Sequence, residues 1–198
     1  MSGMQSSFRI LNETKANFDH IYSEPDPREY YRVLYGLDYI IPDLARPVFR
    51  ALIAAREALA GRRVRILDLG CSYGINAALT RFPVDLARLA QRYAGPEMQV
   101  LSVRSLIDLD RHYFRAWPPL TDARFVGLDA SKSAIEYAIA VGLLDDGIAA
   151  NLERHEPTPH QAQVFSSVDM IVSTGCVGYV TRRTFRHLLA HARPGDPP

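Results

Sequence analysis

Residues 64–74 read Val-Arg-Ile-Leu-Asp-Leu-Gly-Cys-Ser-Tyr-Gly, and this stretch decides the fold. Its first six residues are mostly apolar, as expected of a short buried strand. Small residues follow from Gly70 to Gly74, and an apolar helix opens at Ile75. A strand, a turn of small residues and a helix in this order predict one unit of a parallel α/β sheet.

The same alternation continues towards the C-terminus. Three further apolar runs are predicted as strands, at residues 124–129, 148–152 and 168–173. The capping-box pair Ser133 and Glu136 predicts a helix start, and the Asp-Asp-Gly sequence at 145–147 predicts a turn. Strands alternating with helices imply right-handed crossovers, a parallel sheet and helices on both of its faces. Ligands bind such sheets beyond the carboxyl ends of the strands.

The pattern divides the chain into two parts. Residues 1–61 are predicted to form a helical N-terminal extension. Residues 62–198 are predicted to form a Rossmann-like domain. Within that domain, a helical insertion is expected at about residues 81–122, because helical patterns there separate the first strand unit from the second strand.

Two features of the N-terminal extension carry expectations. Leu44, Val48 and Leu52 recur at helical spacing until Gly61 ends the run, which predicts a long helix. Tyrosines are dense between residues 22 and 39. Core packing is one interpretation of these tyrosines, and a lid over a small-molecule site is the other.

Composition bounds the class of protein. The 198 residues carry a net charge of +1, which gives no general attraction to nucleic acid or to an anionic membrane. No apolar run approaches the roughly 20 residues of a membrane-spanning helix, and residues 1–8 lack a signal-peptide core. Cys71 and Cys176 are too few for a disulfide framework. We therefore expect a cytoplasmic protein.

A glycine turn between a strand and a helix serves several kinds of site. A dinucleotide-binding turn of the form G-x-G-x-x-G would need glycine where this chain has Ser72 and Ile75. The side chains at these two positions would hinder the close approach of the backbone to a pyrophosphate.

A serine-hydrolase turn of the form G-x-S-x-G is matched letter for letter, with Ser72 as the nucleophile. Partners follow in the expected order, as Asp129 or Asp169 and then His187 or His191. However, about sixty helical residues precede the turn, where that fold places strands, and no His-Gly-Gly segment supplies an oxyanion hole.

Residues 67–74 resemble the first motif of class I S-adenosylmethionine (SAM)-dependent methyltransferases, in which an acid between hydrophobic residues precedes Gly-x-Gly-x-Gly. Ser72 stands where the family has its middle glycine. The resemblance implies that Asp68 attracts the ammonium group of SAM and that the loop backbone borders its methionine part. The loop residues implied to bind the cofactor are Gly70, Cys71, Ser72 and Gly74.

Three later segments resemble further motifs of that family in the same order. By this resemblance, Asp129 accepts the ribose hydroxyls, with Ala130 beside it. Asn151 faces the adenine edge and Leu152 the adenine ring. The backbone after the fourth strand borders the methionine arm and the acceptor, through Ser173, Thr174 and Gly175.

The chain departs from the family pattern in two places. Asp129 lies 55 positions after Gly74, where family members usually have a single helix. The family sheet has seven strands, whereas this sequence predicts four. The fourth strand would then be an apolar edge, so we expect either a fragment or a second copy or partner chain covering that edge. A catalytically silent SAM-binding or sheet-completing subunit is therefore the alternative to an active enzyme.

The resemblance implies in-line methyl transfer, which gains most from correct positioning of the acceptor. Candidates for a general base are His20, His112 and Tyr179, and no partner pattern distinguishes them. The tyrosine-rich extension favours a small-molecule acceptor, and the lack of basic patches with interleaved aromatics argues against nucleic acid. His155 and His160 are too sparse to predict a metal site.

Overall fold

A computed structural model describes residues 19–191 of the chain. Residues 1–18 and 192–198, which belong to the predicted N-terminal extension and Rossmann-like domain, lie outside the described residues. The α-helices are α1 (Asp19–Ser23), α2 (Arg28–Gly36), α3 (Ile41–Ala60), α4 (Ile75–Arg81), α5 (Leu86–Ala94), α6 (Pro96–Gln99), α7 (Val103–Arg115), α8 (Lys132–Ala140), α9 (Pro159–Phe165) and α10 (Arg182–Leu189). The strands are β1 (Arg65–Leu69), β2 (Arg124–Asp129), β3 (Asp146–Ala149) and β4 (Met170–Val172), and a 3₁₀ turn spans Cys176–Gly178.

The four strands form one parallel sheet in the order β3-β2-β1-β4. This arrangement confirms the predicted α/β class and the parallel sheet. Within the described residues β4 pairs with β1 alone and forms one edge of the sheet. The parallel order brings the carboxyl ends of β1, β2 and β4 to the same side, which is where the predicted loops lie.

Two strand boundaries differ from the prediction. β3 begins two residues earlier than expected, and the predicted turn at 145–147 is wrong for Asp146 and Gly147, which pair with Val126 and Gly127. Gly147 suits this position because a Cβ there would lie 2.6 Å from a methyl carbon of Ile135 in α8. β4 is shorter than predicted and covers only Met170–Val172.

The predicted capping box at the start of α8 is wrong. Ser131, rather than Ser133, is the N-cap, and its hydroxyl accepts a hydrogen bond from the backbone N–H of Ala134 at 3.3 Å. The Ser133 hydroxyl instead donates to the carbonyl of Ser23 at 3.1 Å. Ser133 therefore connects α8 to the last residue of α1.

Helices cover both faces of the sheet, as predicted. Ile53 of α3 and Ala77 of α4 join a buried cluster with strand residues such as Ile66 on one face. Val164 of α9 and Leu188 of α10 join a separate cluster on the other face. The short helix α9 is absent from the sequence prediction, although Thr158 and Gln161 form a complete capping box at its start.

The segment between α4 and β2 contains α5, α6 and α7 and is attached through a buried polar group. The carboxylate of Asp110 on α7 is fully buried. It accepts hydrogen bonds from Arg92 and Tyr93 of α5 and from Tyr137 of α8. A buried carboxylate with this many donors fixes the three helices to one another, since losing a partner would leave a buried charge unsatisfied.

The long helix α3 confirms the predicted spacing and its end, because Gly61 caps it in the left-handed conformation. The apolar stripe of a surface helix usually packs on the core. In α3 the stripe is exposed to solvent instead. None of the helices within residues 19–191 combines the length and apolar character needed to cross a membrane.

Candidate functional site

The turn between β1 and α4 is built from left-handed backbone. Gly70, Ser72 and Gly74 have φ angles of 70°, 47° and 79°. Glycine adopts this conformation freely, whereas a residue with a Cβ such as serine pays roughly 1–2 kcal/mol. The backbone N–H of Ser72 donates to Oδ2 of Asp129 at 2.8 Å, and this charge-assisted bond stabilises the unusual conformation.

Asp129 ends β2 and fastens two loops. Its Oδ2 accepts from Ser72, and its Oδ1 accepts from the backbone N–H of Ser131 at 2.9 Å. Burial raises the pKa of this carboxyl, and the backbone donors oppose that rise. A carboxylate has about four acceptor positions, so these backbone donors leave room for a hydroxyl donor from a ligand.

Asp68 is fully buried at the end of β1 and only half satisfied. The side-chain amide of Asn76 donates to its Oδ1 at 2.8 Å, while its Oδ2 is buried and has no hydrogen-bond partner within residues 19–191. Burial, with a contribution from the negative charge of Asp129, raises the pKa of Asp68 to about 7. A free acceptor oxygen in a buried position would be satisfied by a cationic or N–H donor.

A buried hydrogen-bond chain links Asp68 to the loop after β4. Asn76 bonds to Asp68, and its amide oxygen accepts from the hydroxyl of Thr174 at 2.9 Å. The hydroxyl of Tyr39 bonds in turn to Thr174. Gly175 has a φ of 76° and lies so close to the Tyr39 hydroxyl that a Cβ would overlap it. The chain therefore joins β1, the loop after β4 and the N-terminal helices.

The loop after β4 also packs directly on the glycine turn. The hydroxyl of Ser173 donates to the carbonyl of Leu69 at 2.9 Å. The half-buried thiol of Cys176 occupies the space that a side chain at position 70 would need. Burial raises the pKa of the thiols of Cys71 and Cys176, so both are uncharged. Gly70 is thus required by its backbone angle and by its neighbour.

The loop after β3 contributes less than the sequence predicts. Oδ1 of Asn151 accepts from the backbone N–H of Glu153 at 3.0 Å and so closes a local turn. Leu152 is 3% exposed and packs in the core with Val164 and Phe165. Neither residue joins the hydrogen-bonded group around Asp68 and Asp129. Ala130, by contrast, is exposed directly beside Asp129.

Tyr22, Tyr39 and Tyr73 lie beside the hydrogen-bonded residues around Asp68 and Asp129. Burial, together with Tyr179, Tyr39 and Asp129, raises the pKa of Tyr22 to about 12. Burial likewise raises the pKa of Tyr39, so both phenols remain neutral hydrogen-bond donors. The hydroxyl of Tyr73, in the glycine turn, donates to the carbonyls of Ile21 and Glu24 at 2.9 Å and fastens the N-terminal helices to the site. Tyr30 and Tyr31 are core residues, as the packing interpretation predicts.

Of the three candidate bases, the structure brings one to the site. Tyr179 follows the loop after β4 and influences Tyr22 electrostatically. His20 is exposed on α1, where it adds to the effect of Arg32 in lowering the pKa of Glu29. His112 is exposed on α7 and bonds within its own helix, to the carbonyl of Asp108 at 2.6 Å.

The residues considered for a serine-hydrolase triad are not assembled. The hydroxyl of Ser72 is buried and has no hydrogen-bond partner among the described residues. Asp169 bonds to Arg62 and to the backbone N–H of Arg65, at the amino end of the sheet. His187 lies 3.2 Å from Glu156. Without a histidine beside Ser72, nucleophilic activation has no base.

Asn76 is a residue of the hydrogen-bonded group around Asp68 and Asp129 that the sequence prediction missed. Asn76 is a buried polar residue within an otherwise apolar run, and that contrast is a usable signal. Tyr39 belongs to the tyrosine-rich stretch 22–39, and its position beside Thr174 depends on how the N-terminal helices pack.

Comparison of the chain with protein-family models, with curated proteins and with solved structures gave no match.

Proposed function

We propose that the β1–α4 turn and Asp129 bind SAM and that the protein, in the cytoplasm, transfers its methyl group to a small-molecule acceptor. The observation that carries the proposal is the unpartnered Oδ2 of Asp68, fully buried at the carboxyl end of β1. A buried acceptor of this kind at a ligand-binding edge of a parallel sheet calls for a positively charged donor.

The side chains available suit the parts of this cofactor. Asp68 would hold the ammonium group through its free oxygen, and Asp129 would accept the ribose hydroxyls at its remaining positions. The turn offers close backbone approach at Gly70 and Gly74. It has no Lys or Arg, so a phosphate-bearing cofactor would lack a cationic partner there. Asn151 and Leu152 are proposed only to border the adenine.

When bound, SAM would supply an electrophilic methyl group. As the acceptor atom forms a bond to that carbon, the carbon–sulfur bond would break, S-adenosylhomocysteine would leave as a neutral thioether, and the acceptor's proton would pass to solvent. The protein's contribution is to hold the acceptor in line and to exclude water. The rings of Tyr22, Tyr39 and Tyr179 would do this, and the hydroxyls of Tyr22 and Tyr39, whose pKa values burial raises, would act as neutral hydrogen-bond donors. Because the pKa of Tyr22 is raised, that hydroxyl positions an acceptor rather than deprotonates it.

Calorimetric titration of four ligands tests the cofactor. We expect the wild type to bind SAM and S-adenosylhomocysteine, and to bind NAD far more weakly. Asp68→Asn places an N–H donor where the free oxygen lies, so SAM affinity should fall about 10- to 100-fold, the worth of a hydrogen bond to a charged group. Methylthioadenosine lacks the amino-acid ammonium, and its affinity should be unchanged in this variant.

Asp129→Asn should weaken SAM and methylthioadenosine together, because both contain the ribose. Asp108→Asn changes an exposed carboxylate on α7 and is the matched control, expected to alter neither affinity. If Asp68→Asn weakened both ligands equally, or if the folded wild type bound neither, the assignment of the ammonium to Asp68 would be wrong.

A catalytically silent subunit is the second candidate, and the open edge of β4 favours it. β4 pairs on one side only within the described residues, and an apolar edge strand invites pairing with another chain. Binding of SAM without turnover over a panel of small phenols, amines and acids, together with co-purification of a partner chain, would support this candidate. Turnover by a single chain would contradict it.

A further inference from the structure

The solvent-facing side of α3 is entirely apolar. Every residue of this 20-residue helix that is classed as exposed has a hydrophobic or small aliphatic side chain, and none is charged or polar. These exposed residues, here called the α3 face, are Ile41, Leu44, Pro47, Val48, Ala51, Leu52, Ala54, Ala55, Ala58, Leu59 and Ala60. A surface helix normally shows its polar side to water, so α3 is inverted.

The charged side of α3 is anchored to the body of the protein. Arg46 donates to the carbonyl of Val84 at 2.8 Å. Arg50 donates to the carbonyls of Leu79, Thr80 and Phe82, which end α4, at 2.7–3.0 Å. Rotating the helix to bury its apolar side would break these bonds and leave carbonyls unsatisfied. The orientation of the α3 face is therefore set by the fold.

We propose that the α3 face is the interface between two copies of this chain, with α3 packed antiparallel against α3 of the second copy. Ile41, Val48 and Ala55 repeat every seven residues, as do Ala45, Leu52 and Leu59, which is the spacing of a helix–helix seam. A two-fold pairing places the same surface on both sides, and an uncharged surface meets itself without repulsion. Alanines along the face allow the two helices to approach closely.

The exposed area is adequate for such a dimer. Ile41, Leu44, Val48, Leu52 and Leu59 are 48%, 65%, 55%, 51% and 82% exposed, and Leu37 and Ile40 adjoin them at 56% and 53%. At roughly 100 Å² for a fully exposed aliphatic side chain, these seven present about 400 Å². Apolar atoms make up about 65% of homodimer interfaces. The face thus corresponds to about 600 Å² or more for each copy, near the roughly 800 Å² of a standard interface.

The buried side of α3, opposite the α3 face, packs towards the edge strand β4. Ile53, a buried residue of α3, shares a cluster with Val172 of β4, and Phe49 of α3 and Met170 of β4 pack against that cluster. The proposal rests on exposure and helix orientation alone and does not depend on methyl transfer.

Sedimentation of the full chain over a range of concentrations tests the interface. We expect a monomer–dimer equilibrium with a Kd at or below about 10 µM, as is usual for interfaces of this size. Leu52→Arg places a charge in the middle of the face on both copies, and Ala55→Arg does so one position further along the seam. Each should raise the dimer Kd at least 100-fold. Val100→Arg, at a position 84% exposed outside the face, is the control and should leave the Kd unchanged.

All substituted positions are exposed, so the variants should keep the circular-dichroism spectrum and melting temperature of the wild type. A wild type that stays monomeric at about 100 µM would overturn the proposal, even if another protein bound the face. A dimer that withstands both Leu52→Arg and Ala55→Arg would also overturn it, because the contact would then lie elsewhere. Neither outcome bears on SAM binding.

Discussion

Replacing Asp68 with Asn should change how the stability of the protein depends on pH. Asn has the same shape, so its amide oxygen can still accept from the side chain of Asn76, as Oδ1 of Asp68 does at 2.8 Å. The substitution removes the ionisable oxygen that lies buried without a partner. The difference between the two proteins therefore isolates the free energy of a buried, half-satisfied carboxylate.

The size of the effect follows from the pKa of Asp68, which burial raises from 3.8 to about 7. The folded state then binds a proton that the unfolded state has released. The contribution of Asp68 to the free energy of unfolding is greatest below pH 3.8, falls as the pH rises towards 7, and is constant above pH 7. At 1.36 kcal/mol per pH unit, the whole fall is on the order of 4 kcal/mol, of which about 2.5 kcal/mol lies between pH 5 and pH 8.

Urea denaturation of both proteins at pH 5, 6, 7 and 8 measures this difference. Other groups titrate alike in the two proteins, so their contributions cancel when the free energies of unfolding are subtracted. Relative to the wild type, Asp68→Asn should gain about 2.5 kcal/mol between pH 5 and pH 8, whichever protein is more stable at pH 5. A difference that stays constant within about 0.5 kcal/mol would show that Asp68 titrates near its ordinary pKa, and the reasoning from burial would fail.

Two further predictions concern the same turn. SAM affinity should fall as the pH drops from 7 to 5.5, by up to tenfold per pH unit, because a proton on Asp68 must leave before the ammonium binds; calorimetry on Asp68→Asn should find no such dependence. Gly74→Ala should cost about 1–2 kcal/mol more than Gly61→Ala in urea denaturation. Both glycines have a left-handed φ, but a Cβ at Gly74 would lie 3.1 Å from Ala138 and Leu143, whereas Gly61 has open space. Equal losses would mean that backbone strain alone accounts for both.

The parts of the fold that are predictable from the sequence are those with a local cause. β1 and β2 are apolar runs with an acid at or next to the carboxyl end, and the rule that parallel strands share a carboxyl edge places Asp68 and Asp129 together. β3 is less apolar, and its start depends on pairing with β2, which no local pattern encodes. Ser131 and Ser133 are both competent N-caps, and the choice between them depends on the contact of Ser133 with α1.

The hydrogen-bond chain through Asn76 shows why the site is only partly predictable. Thr174 lies 98 positions after Asn76, and their contact requires both the phase of α4 and the shape of the loop after β4. Leu152, which the resemblance assigns to the adenine ring, is buried among Val164 and Phe165, a packing that the motif alone does not predict. Spacing predicts α3 as a helix, but which side faces the body depends on carbonyl groups that end α4.

Two features of the protein depart from the rule that charged groups face water and apolar side chains are buried. Asp68 is a titratable group placed inside without a full set of partners, and the α3 face is an apolar surface placed outside. Each raises the free energy of the isolated chain, the first by desolvation and the second by exposed hydrocarbon. Binding would lower this free energy in two different ways. A cationic donor would form a hydrogen bond with the buried carboxylate of Asp68, and a second apolar surface would remove the α3 face from water. The two sites are therefore independent, and a variant that abolishes one should leave the other intact.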